Sequence, residues 1–168
     1  MASDVTVYLG LGSNLGDRQK NLSAALDRLP PEVLVKAVSS LYETDPVGPR
    51  DQQDFYNAVC RANTSLEPRQ LLAHVKQVER DVGRTDGPRW GPRVIDIDIL
   101  LYGGVTVDQP ELQVPHREMA NRAFVLVPLA ELAPDVKHPI VRGTIAELLS
   151  SVDASGVRLL ADAGWERP

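Results

Sequence analysis

Two extended segments in the first half of the chain are joined by a loop too short to contain a crossover helix. Residues 33–43 are rich in valine, and residues 55–64 alternate with the two-residue period of a β-strand. The ten residues between them, 45–54, include two prolines and a glycine. Parallel strands need a connection of a dozen or more residues. We therefore predict an antiparallel pair, which disfavours the alternative of a doubly wound parallel fold.

The flanking segments predict two further strands and two helices. Residues 5–11 alternate in hydrophobicity, and residues 94–102 are rich in β-branched side chains. Asp17 can cap one helix, while Pro68 begins a second helix whose apolar stripe stops at Gly83. The order strand, helix, strand, strand, helix, strand predicts an α+β fold. The predicted architecture is a ferredoxin-like sandwich, in which helices pack on an antiparallel sheet, with C-terminal additions.

Local signals predict the structure of the last third of the chain. A Gly-Gly turn after residue 102 is expected to form a hairpin with residues 105–107. A short helix is expected near 118–127, followed by a proline-interrupted segment at 129–133. Thr144, three residues before a glutamate, begins the capping box of another short helix.

Composition restricts the class of protein. The 168 residues, 43% of them hydrophobic and 24% charged, are typical of one soluble globular domain spanning 1–168. No apolar run approaches the roughly 20 residues of a membrane span. The N-terminus has no basic region before its apolar residues, so we expect no signal peptide and a cytoplasmic location. The single cysteine, Cys60, excludes an intrachain disulfide and a cysteine-based zinc site.

The basic residues are concentrated in one short segment. The net charge of −5 argues against nucleic acid as a partner. Arg84, Arg89 and Arg93, however, fall within ten residues that contain one acid, Asp86. No glycine-rich phosphate-binding motif occurs in the chain. A small anion such as phosphate, held by arginine side chains, is one interpretation of this cluster; a solvated charged loop is the other.

Two aspartates lie on one face of the predicted strand 94–102. Asp96 and Asp98 are two residues apart, so their side chains project together from positions about 6.5–7 Å apart. Like charges this close favour a cation between them, and Mg²⁺ accepts one or two carboxylates with phosphate oxygens as further ligands. The alternatives are a solvated pair or pairing with arginine. Phe55, Phe124 and Trp90 could grip a planar ligand, although core packing explains the phenylalanines equally well.

Several short segments share a recognisable pattern. They are Gly-Ser-Asn at 12–14, Thr-Asp-Pro-Val-Gly-Pro at 44–49, Asp-Phe-Tyr-Asn at 54–57, Gly-Arg at 83–84, Arg-Trp-Gly-Pro-Arg-Val-Ile-Asp-Ile-Asp at 89–98, Val-Pro-His at 114–116 and Asn-Arg-Ala-Phe at 121–124. From about residue 5 to 160, the chain resembles the 6-hydroxymethyl-7,8-dihydropterin pyrophosphokinases of folate biosynthesis. The segment at 89–98 is the most specific part of the match.

The resemblance implies a reaction and a set of site residues. Members of this family have a ferredoxin-like fold and transfer the terminal pyrophosphoryl group of ATP to the hydroxymethyl oxygen of the pterin, releasing AMP. It implies that Asp96 and Asp98 bind two magnesium ions and act in catalysis with Arg84 and Arg93. The implied ATP-binding residues are Glu79, Arg84, Trp90, Arg93, Ile99, His116 and Arg122. The implied pterin-binding residues are Thr44, Asp45, Val47, Phe55, Asn57, Trp90, Asp96 and Phe124.

The chain departs from the family pattern in its arginine-rich loop. Asp86 stands where a second arginine is common, and Arg117 stands where an aromatic residue is often found. We hypothesise that Arg117 partly restores the lost positive charge. No separate general base is evident, so the proton acceptor is left open. We expect a monomer that acts on ATP and the pterin, with no nucleic-acid or membrane partner.

Two other functions are compatible with parts of this pattern. A non-catalytic ferredoxin-like module could bind a nucleotide or a pterin without turnover. A nucleotidyltransferase would pair Gly-Ser with a strand-borne Asp-x-Asp about ten residues away, but here Ser13 and Asp96 are more than eighty residues apart. This spacing disfavours a nucleotidyltransferase.

Overall fold

The computed structural model describes residues 4–46, 51–88 and 91–167. The strands are β1 (Val5–Ser13), β2 (Val33–Val38), β3 (Leu41–Thr44), β4 (Phe55–Thr64), β5 (Asp96–Tyr102), β6 (Val107–Gln109), β7 (Leu112–Val114) and β8 (Val157–Ala161). The α-helices are α1 (Arg18–Arg28), α2 (Pro68–Val82), α3 (Ala123–Leu132) and α4 (Ile145–Ser150), and a 3₁₀ turn spans Met119–Asn121.

The main sheet is antiparallel throughout. Among the described residues its strand order is β5-β1-β4-β3-β8, and β2 also pairs with β4, beside β3. This arrangement confirms the α+β, ferredoxin-like prediction, because β4 lies between β1 and the β2–β3 segment. The alternative of a doubly wound parallel sheet is wrong. The short 45–54 connection permits only the antiparallel pairing of β3 with β4 that is observed.

Helices cover both faces of this sheet. Leu22 of α1 and Val75 of α2 are fully buried against alternate residues of β1, β4 and β5. On the opposite face, Leu126 and Leu129 of α3 pack in a second cluster with Val59 and Leu100. Because strand side chains alternate between faces, each central strand contributes to both clusters. The candidate site lies on the α3 face.

Residues 33–43, predicted as one extended segment, form two strands. The break falls at Ser39, which is buried, and its backbone N–H donates to the Val59 carbonyl. The Val59 N–H in turn donates to Ser39 Oγ at 2.9 Å. The serine hydroxyl thus replaces a strand carbonyl at the break, so β2 and β3 both remain paired with β4.

The predicted helix ends are confirmed where a local capping group defines them. The Lys20 N–H donates to Asp17 Oδ1 at the start of α1, and α2 ends at Gly83 with φ of 125°. At α4, the Glu147 N–H donates to Thr144 Oγ1 while the Thr144 N–H donates to the Glu147 carboxylate. Each of these caps satisfies backbone groups that the helix leaves unpaired.

The prediction of a helix at 118–127, interrupted before 129–133, is wrong in its bounds. A 3₁₀ turn comes first, and α3 then continues through Pro128 to Leu132. Proline removes one backbone hydrogen bond from a helix interior, at a cost of about 3 kcal/mol. Burial of Val125, Leu126 and Leu129 offsets that cost. Tertiary packing, which local propensity does not describe, therefore sets the length of α3.

Two further predictions about strands need correction, and β7 and β8 were not predicted. The strand predicted at 94–102 begins at Asp96, although Ile95 is buried in the core. The Gly-Gly turn brings Val105 back to Tyr102, but residues 107–109 pair with β7 and form a separate hairpin. That pairing lets Leu112 and Val114 join the core. The sequence interpretation missed β8, which pairs with β3.

No helix within 4–46, 51–88 and 91–167 is long and apolar enough to cross a membrane.

Candidate active site

A cavity of about 230 Å³ opens on the α3 face, where β1 and β3 end and where β4 and β5 begin. We call it the aromatic cavity because Phe55 and Phe124 both line it. Its other lining residues are Gly10, Leu11, Gly12, Thr44, Asp45, Asn57, Ala58, Val59, Arg84, Gly91, Arg93, Asp96, Asp98, Leu100, Arg122 and Val125. The mixture of rings, apolar side chains and a few polar groups suits a flat ligand with a polar edge.

A second cavity, of about 460 Å³, lies on the side of α2 and the β6–β7 hairpin. We call it the polar cavity. Its lining residues are Leu72, Lys76, Glu79, Arg84, Asp96, Ile97, Asp98, Ile99, Pro110, Glu111, Leu112, Gln113, His116 and Arg117. Lys76 and Arg117 are exposed cations in this lining, which suits an anionic ligand.

The two cavities share three residues, Arg84, Asp96 and Asp98. The strand register explains why the carboxylates lie here, since Asp96 is opposite Gly12 and Asp98 is opposite Gly10 on β1. Glycine has no side chain to cover its neighbour. The two carboxylates therefore face open space at the boundary between the cavities, where ligands in both could meet.

Arg84 is held at this boundary by two acids. Its Nη1 donates to Glu79 Oε2 at 2.8 Å and to Asp96 Oδ1 at 2.9 Å. Burial opposes the positive charge of Arg84, but Glu79 and Asp96 together raise its pKa. Glu79, only 4% exposed, also accepts the Ile97 N–H at 2.8 Å. Burial raises the pKa of Glu79, while these hydrogen bonds and the charge of Arg84 act against the shift.

The environment of Asp98 is unfavourable for a negative charge. Burial of the carboxyl and the neighbouring charge of Asp96 raise the pKa of Asp98 well above its usual range, with Arg122 acting in the opposite direction. About 36% of its side chain nevertheless remains accessible. A cation placed between the aspartates would remove this penalty.

His116 is close to the same carboxylate, with Nε2 3.8 Å from Asp98 Oδ1. The Glu118 N–H donates to His116 Nδ1 at 3.2 Å, so in the neutral ring Nε2 carries the proton. Burial and the charge of Arg122 lower the pKa of His116, which favours this neutral form. His116 can therefore donate a hydrogen bond at the edge of the polar cavity.

The donor set at the boundary fits magnesium better than a metal that needs several protein ligands. Within the three described segments, no group of three or more His, Cys, Asp or Glu side chains is arranged to hold a metal ion. Magnesium commonly takes one or two carboxylates and completes its shell with water and phosphate oxygens. Asp96 and Asp98 supply the required oxygens.

Arg93 lines the aromatic cavity, but its guanidinium group contacts its own loop. Nη2 donates to the Pro88 carbonyl at 2.8 Å, and Nη1 donates to the Pro92 carbonyl at 3.1 Å. The buried side chain of Asn14 holds the backbone of this loop, because its Oδ1 accepts the Arg93 N–H at 2.8 Å. The amide of Asn14 also donates to Gln52 and to the Gln53 carbonyl, so one residue links both loops.

Every expected pterin-binding residue that the structure describes lines the aromatic cavity: Thr44, Asp45, Phe55, Asn57, Asp96 and Phe124. Val47 and Trp90, which were also expected there, lie outside the described residues. Asn57 Nδ2 donates to Thr44 Oγ1 at 2.6 Å, and both side chains are buried. This bond fixes the orientation of the amide beside the rings.

The residues expected to bind ATP are divided between the cavities. Glu79, Ile99 and His116 line the polar cavity and Arg84 lines both, whereas Arg93 and Arg122 line only the aromatic cavity. The Arg122 guanidinium lies 5.5 Å from the centre of the Phe124 ring. After burial, its charge is the second cause that lowers the pKa of His116.

The sequence interpretation missed several lining residues, of which Gly10 and Gly12 are the most informative. A Cβ atom built on Gly12 would lie 2.7 Å from Asn57 Oδ1. The signal was available, because glycine inside a strand marks a close approach of another group. Lys76 of α2 carried no comparable signal, since a lysine on an amphipathic helix is usually solvated.

Comparisons with known proteins identify the family of the chain. A family model described as 7,8-dihydro-6-hydroxymethylpterin-pyrophosphokinase matches residues 8–134. The 2-amino-4-hydroxy-6-hydroxymethyldihydropteridine pyrophosphokinase of Pseudomonas aeruginosa is 46% identical over 159 residues, covering 94% of this chain and 98% of the relative. The Bacillus subtilis protein of the same name is 45% identical over 154 residues, covering 90% and 88%.

Solved structures give an independent comparison of the fold. Wild-type Plasmodium falciparum HPPK-DHPS, crystallised with pteroate, matches with a TM-score of 0.74 at 18% identity, covering 89% of this chain and 42% of that one. This chain thus spans less than half of that protein, and the likeness concerns the fold alone. The family model and the two bacterial relatives show that the chain belongs to the 7,8-dihydro-6-hydroxymethylpterin-pyrophosphokinase family.

Proposed function

We propose that this protein transfers the pyrophosphoryl group of ATP to the hydroxymethyl oxygen of 6-hydroxymethyl-7,8-dihydropterin, forming the pterin diphosphate and AMP. Membership of the family and the names of the bacterial relatives support this reaction. The observation that carries it is the pair of cavities that meet at Arg84, Asp96 and Asp98. Two substrates that exchange a group need adjoining sites with the reacting atoms at the boundary.

The aromatic cavity is the proposed pterin site. Phe55 and Phe124 supply apolar contact area for the flat ring system. Asn57, held by Thr44, offers an amide to the donor and acceptor groups on the polar edge of the pterin. Asp45 lines the cavity and adds a second acceptor. Asp96 lines both cavities, so a hydroxymethyl group directed towards it would face the polar cavity.

The polar cavity is the proposed nucleotide site. Ile99 gives an apolar contact, while Lys76 and Arg117 provide positive charge for the phosphates. His116, with its proton on Nε2, donates to a phosphate oxygen near Asp98. Arg84 neutralises charge at the boundary and is oriented by Glu79. Catalysis then depends on positioning and charge neutralisation, with little covalent chemistry by the protein.

Asp96 and Asp98 are the proposed ligands of two magnesium ions. When bound there, magnesium supplies neutralisation of the phosphates and a lower pKa for the alcohol. The chain contributes the orientation of both carboxylates, which follows from their positions on one face of β5. Arg84 holds Asp96 by its 2.9 Å hydrogen bond.

One assay tests the proposed function against a non-catalytic binding module. The full chain is incubated with ATP, magnesium and the hydroxymethyl dihydropterin, and AMP and the pterin diphosphate are quantified. We expect the two products in equal amounts, dependent on the pterin and abolished by chelation of magnesium. Binding of both ligands without AMP formation would instead establish the binding module, and ADP as the product would indicate transfer of a single phosphoryl group.

A further inference from the structure

Arg158 of β8 lies among three carboxylates beside the aromatic cavity. Its Nη1 donates to Asp45 Oδ1 at 3.1 Å, and its Nη2 donates to Asp54 Oδ2 at 3.0 Å. Glu43, opposite Arg158 in the strand register, is 3.7 Å from Nη2. One planar guanidinium therefore bridges two side chains that are nine positions apart in the chain.

The bridged residues are the two ends of the connection between β3 and β4. Asp45 directly follows β3 and lines the aromatic cavity, and Asp54 directly precedes β4. The backbone adds a further contact, because the Asp45 N–H donates to the Gly156 carbonyl at 3.3 Å. A Cβ atom on Gly156 would lie only 2.9 Å from Asp45 Oδ2. The segment before β8 is therefore packed closely against the first residue of the connection.

Because of their charges, the close approach of Asp45 and Asp54 depends on Arg158. Glu43, Asp45 and Asp54 repel one another, and the single guanidinium offsets that repulsion. The hydrogen bond to Asp45 and the three negative charges raise the pKa of Arg158. β8 lies beyond residues 8–134, the part of the chain that matches the family model.

We propose that Arg158 is a positioning residue for the pterin: by bridging Asp45 and Asp54, it holds the first residue of the β3–β4 connection against the aromatic cavity. The inference rests on the proposed function in assigning the pterin to that cavity. It adds the C-terminal strand to the determinants of pterin affinity. Arg158 lines neither cavity and acts only through Asp45 and Asp54.

The test compares Arg158→Ala and Arg158→Lys with the wild-type chain. Pterin binding is titrated in the presence of a non-hydrolysable ATP analogue, binding of the analogue is titrated alone, and turnover is measured by AMP release. For Arg158→Ala we expect pterin affinity to fall about three- to tenfold, with analogue affinity and kcat at saturating pterin within twofold of wild type. The pterin affinity of Arg158→Lys should lie between those of the wild type and Arg158→Ala, because a single ammonium cannot bridge both carboxylates in the guanidinium geometry.

Two further variants separate positioning from general effects. Arg28→Ala removes an exposed arginine of α1 whose Nη1, among the residues that the structure describes, donates to the Ala24 carbonyl of its own helix, and it should leave pterin affinity unchanged. Asp54→Ala combined with Arg158→Ala should weaken pterin binding less than the sum of the single variants, since both remove the same contact.

The outcomes distinguish this inference from the proposed function. A wild-type chain that forms no AMP refutes the proposed function before any variant is compared. An active wild type with unchanged pterin affinity in Arg158→Ala overturns the positioning role. Equal losses of pterin and analogue affinity, together with a lower Tm, also overturn it, because they indicate general destabilisation.

Discussion

Replacement of Gly12 by alanine tests whether the bare backbone of β1 shapes the pterin site. The added methyl carbon would lie 2.7 Å from Asn57 Oδ1 and 3.4 Å from Phe55 Cδ1. The first distance is about 0.7 Å shorter than the 3.4 Å at which ordinary contact begins. Asn57 must therefore move, and its 2.6 Å hydrogen bond to Thr44 must stretch or break.

The size of the effect follows from these contacts. Overpacking of a rigid site costs about 1–3 kcal/mol, and loss of a hydrogen bond adds about 0.5–1.5 kcal/mol. Together these two costs come to about 1.5–4.5 kcal/mol, and the lower half of that range applies because the clashing atom is the terminal oxygen of a side chain that can shift. Because the pterin needs Asn57 in place, we expect pterin affinity to fall about 10- to 100-fold, at about 1.4 kcal/mol for each factor of ten.

The chain provides a matched control at Gly10, two residues earlier on the same face of β1. A Cβ atom there would be 3.5 Å from the Leu100 side chain, which is an ordinary contact. Calorimetric titration with the pterin should show a small loss of pterin affinity for Gly10→Ala and a large loss for Gly12→Ala. Both variants should retain their affinity for the nucleotide. If Gly12→Ala binds the pterin as the wild type does, Asn57 and the β1 backbone do not define the site, and the assignment of the aromatic cavity is refuted.

Three shorter predictions concern other parts of the molecule. Asp96→Ala and Asp98→Ala should each reduce AMP formation at least about 100-fold while circular dichroism shows an intact fold; near-normal turnover in both would contradict the mechanism. Arg117→Ala should weaken ATP binding about three- to tenfold, with a smaller loss at high ionic strength, and an unchanged affinity would end the hypothesis that it replaces the missing loop arginine. Cys60 is fully buried and burial raises its pKa to about 12, so a thiol reagent at pH 8 should label it only upon unfolding. Since the folded pKa is above the unfolded value, stability should fall as pH rises past about 9, and rapid labelling of the native chain would contradict this burial.

The parts of the fold that the sequence predicted well are those set by neighbouring residues. Asp17, Gly83 and Thr144 cap helices through atoms within a few positions, so their spacing alone identifies them. The strand predicted at 55–64 has the same bounds in the structure. Both of its faces pack against helices, so most of its residues are buried.

Elements that depend on distant partners were predicted poorly. Helix α3 passes through Pro128 because the sheet buries the surrounding leucines and valines. Strand β8 forms because β3 presents a free edge, which no feature within residues 157–161 encodes. The β6–β7 hairpin likewise depends on burial of Leu112 and Val114 in the core. In each case the decisive energy comes from residues far away in the chain.

For the site, the sequence identified which residues lie there better than it identified where their side chains point. The pattern placed Phe55, Asn57 and Phe124 in one site, and all three line the aromatic cavity, while their role in binding stays a prediction. It did not predict that the guanidinium of Arg93 turns to its own loop, or that Arg122 lies over Phe124. A position in a motif fixes the location of a backbone, whereas the side-chain direction depends on local hydrogen bonds and ring contacts.

The register of the sheet gives one physical reason why the site lies where it does. Asn57, Gly12 and Asp96 form one row across β4, β1 and β5, and Gly10 and Asp98 belong to the next row on the same face. A strand glycine costs about 0.5–1 kcal/mol relative to alanine, and burial and the charge of Asp96 disfavour the charged form of Asp98, which raises its pKa. Both penalties fall on the same two rows, where a missing side chain opens the cavity and an uncompensated carboxylate attracts a cation. The fold is therefore less stable locally at these two rows. A bound substrate and a bound metal would restore that stability, as expected for a site that is completed by binding energy and not by folding energy.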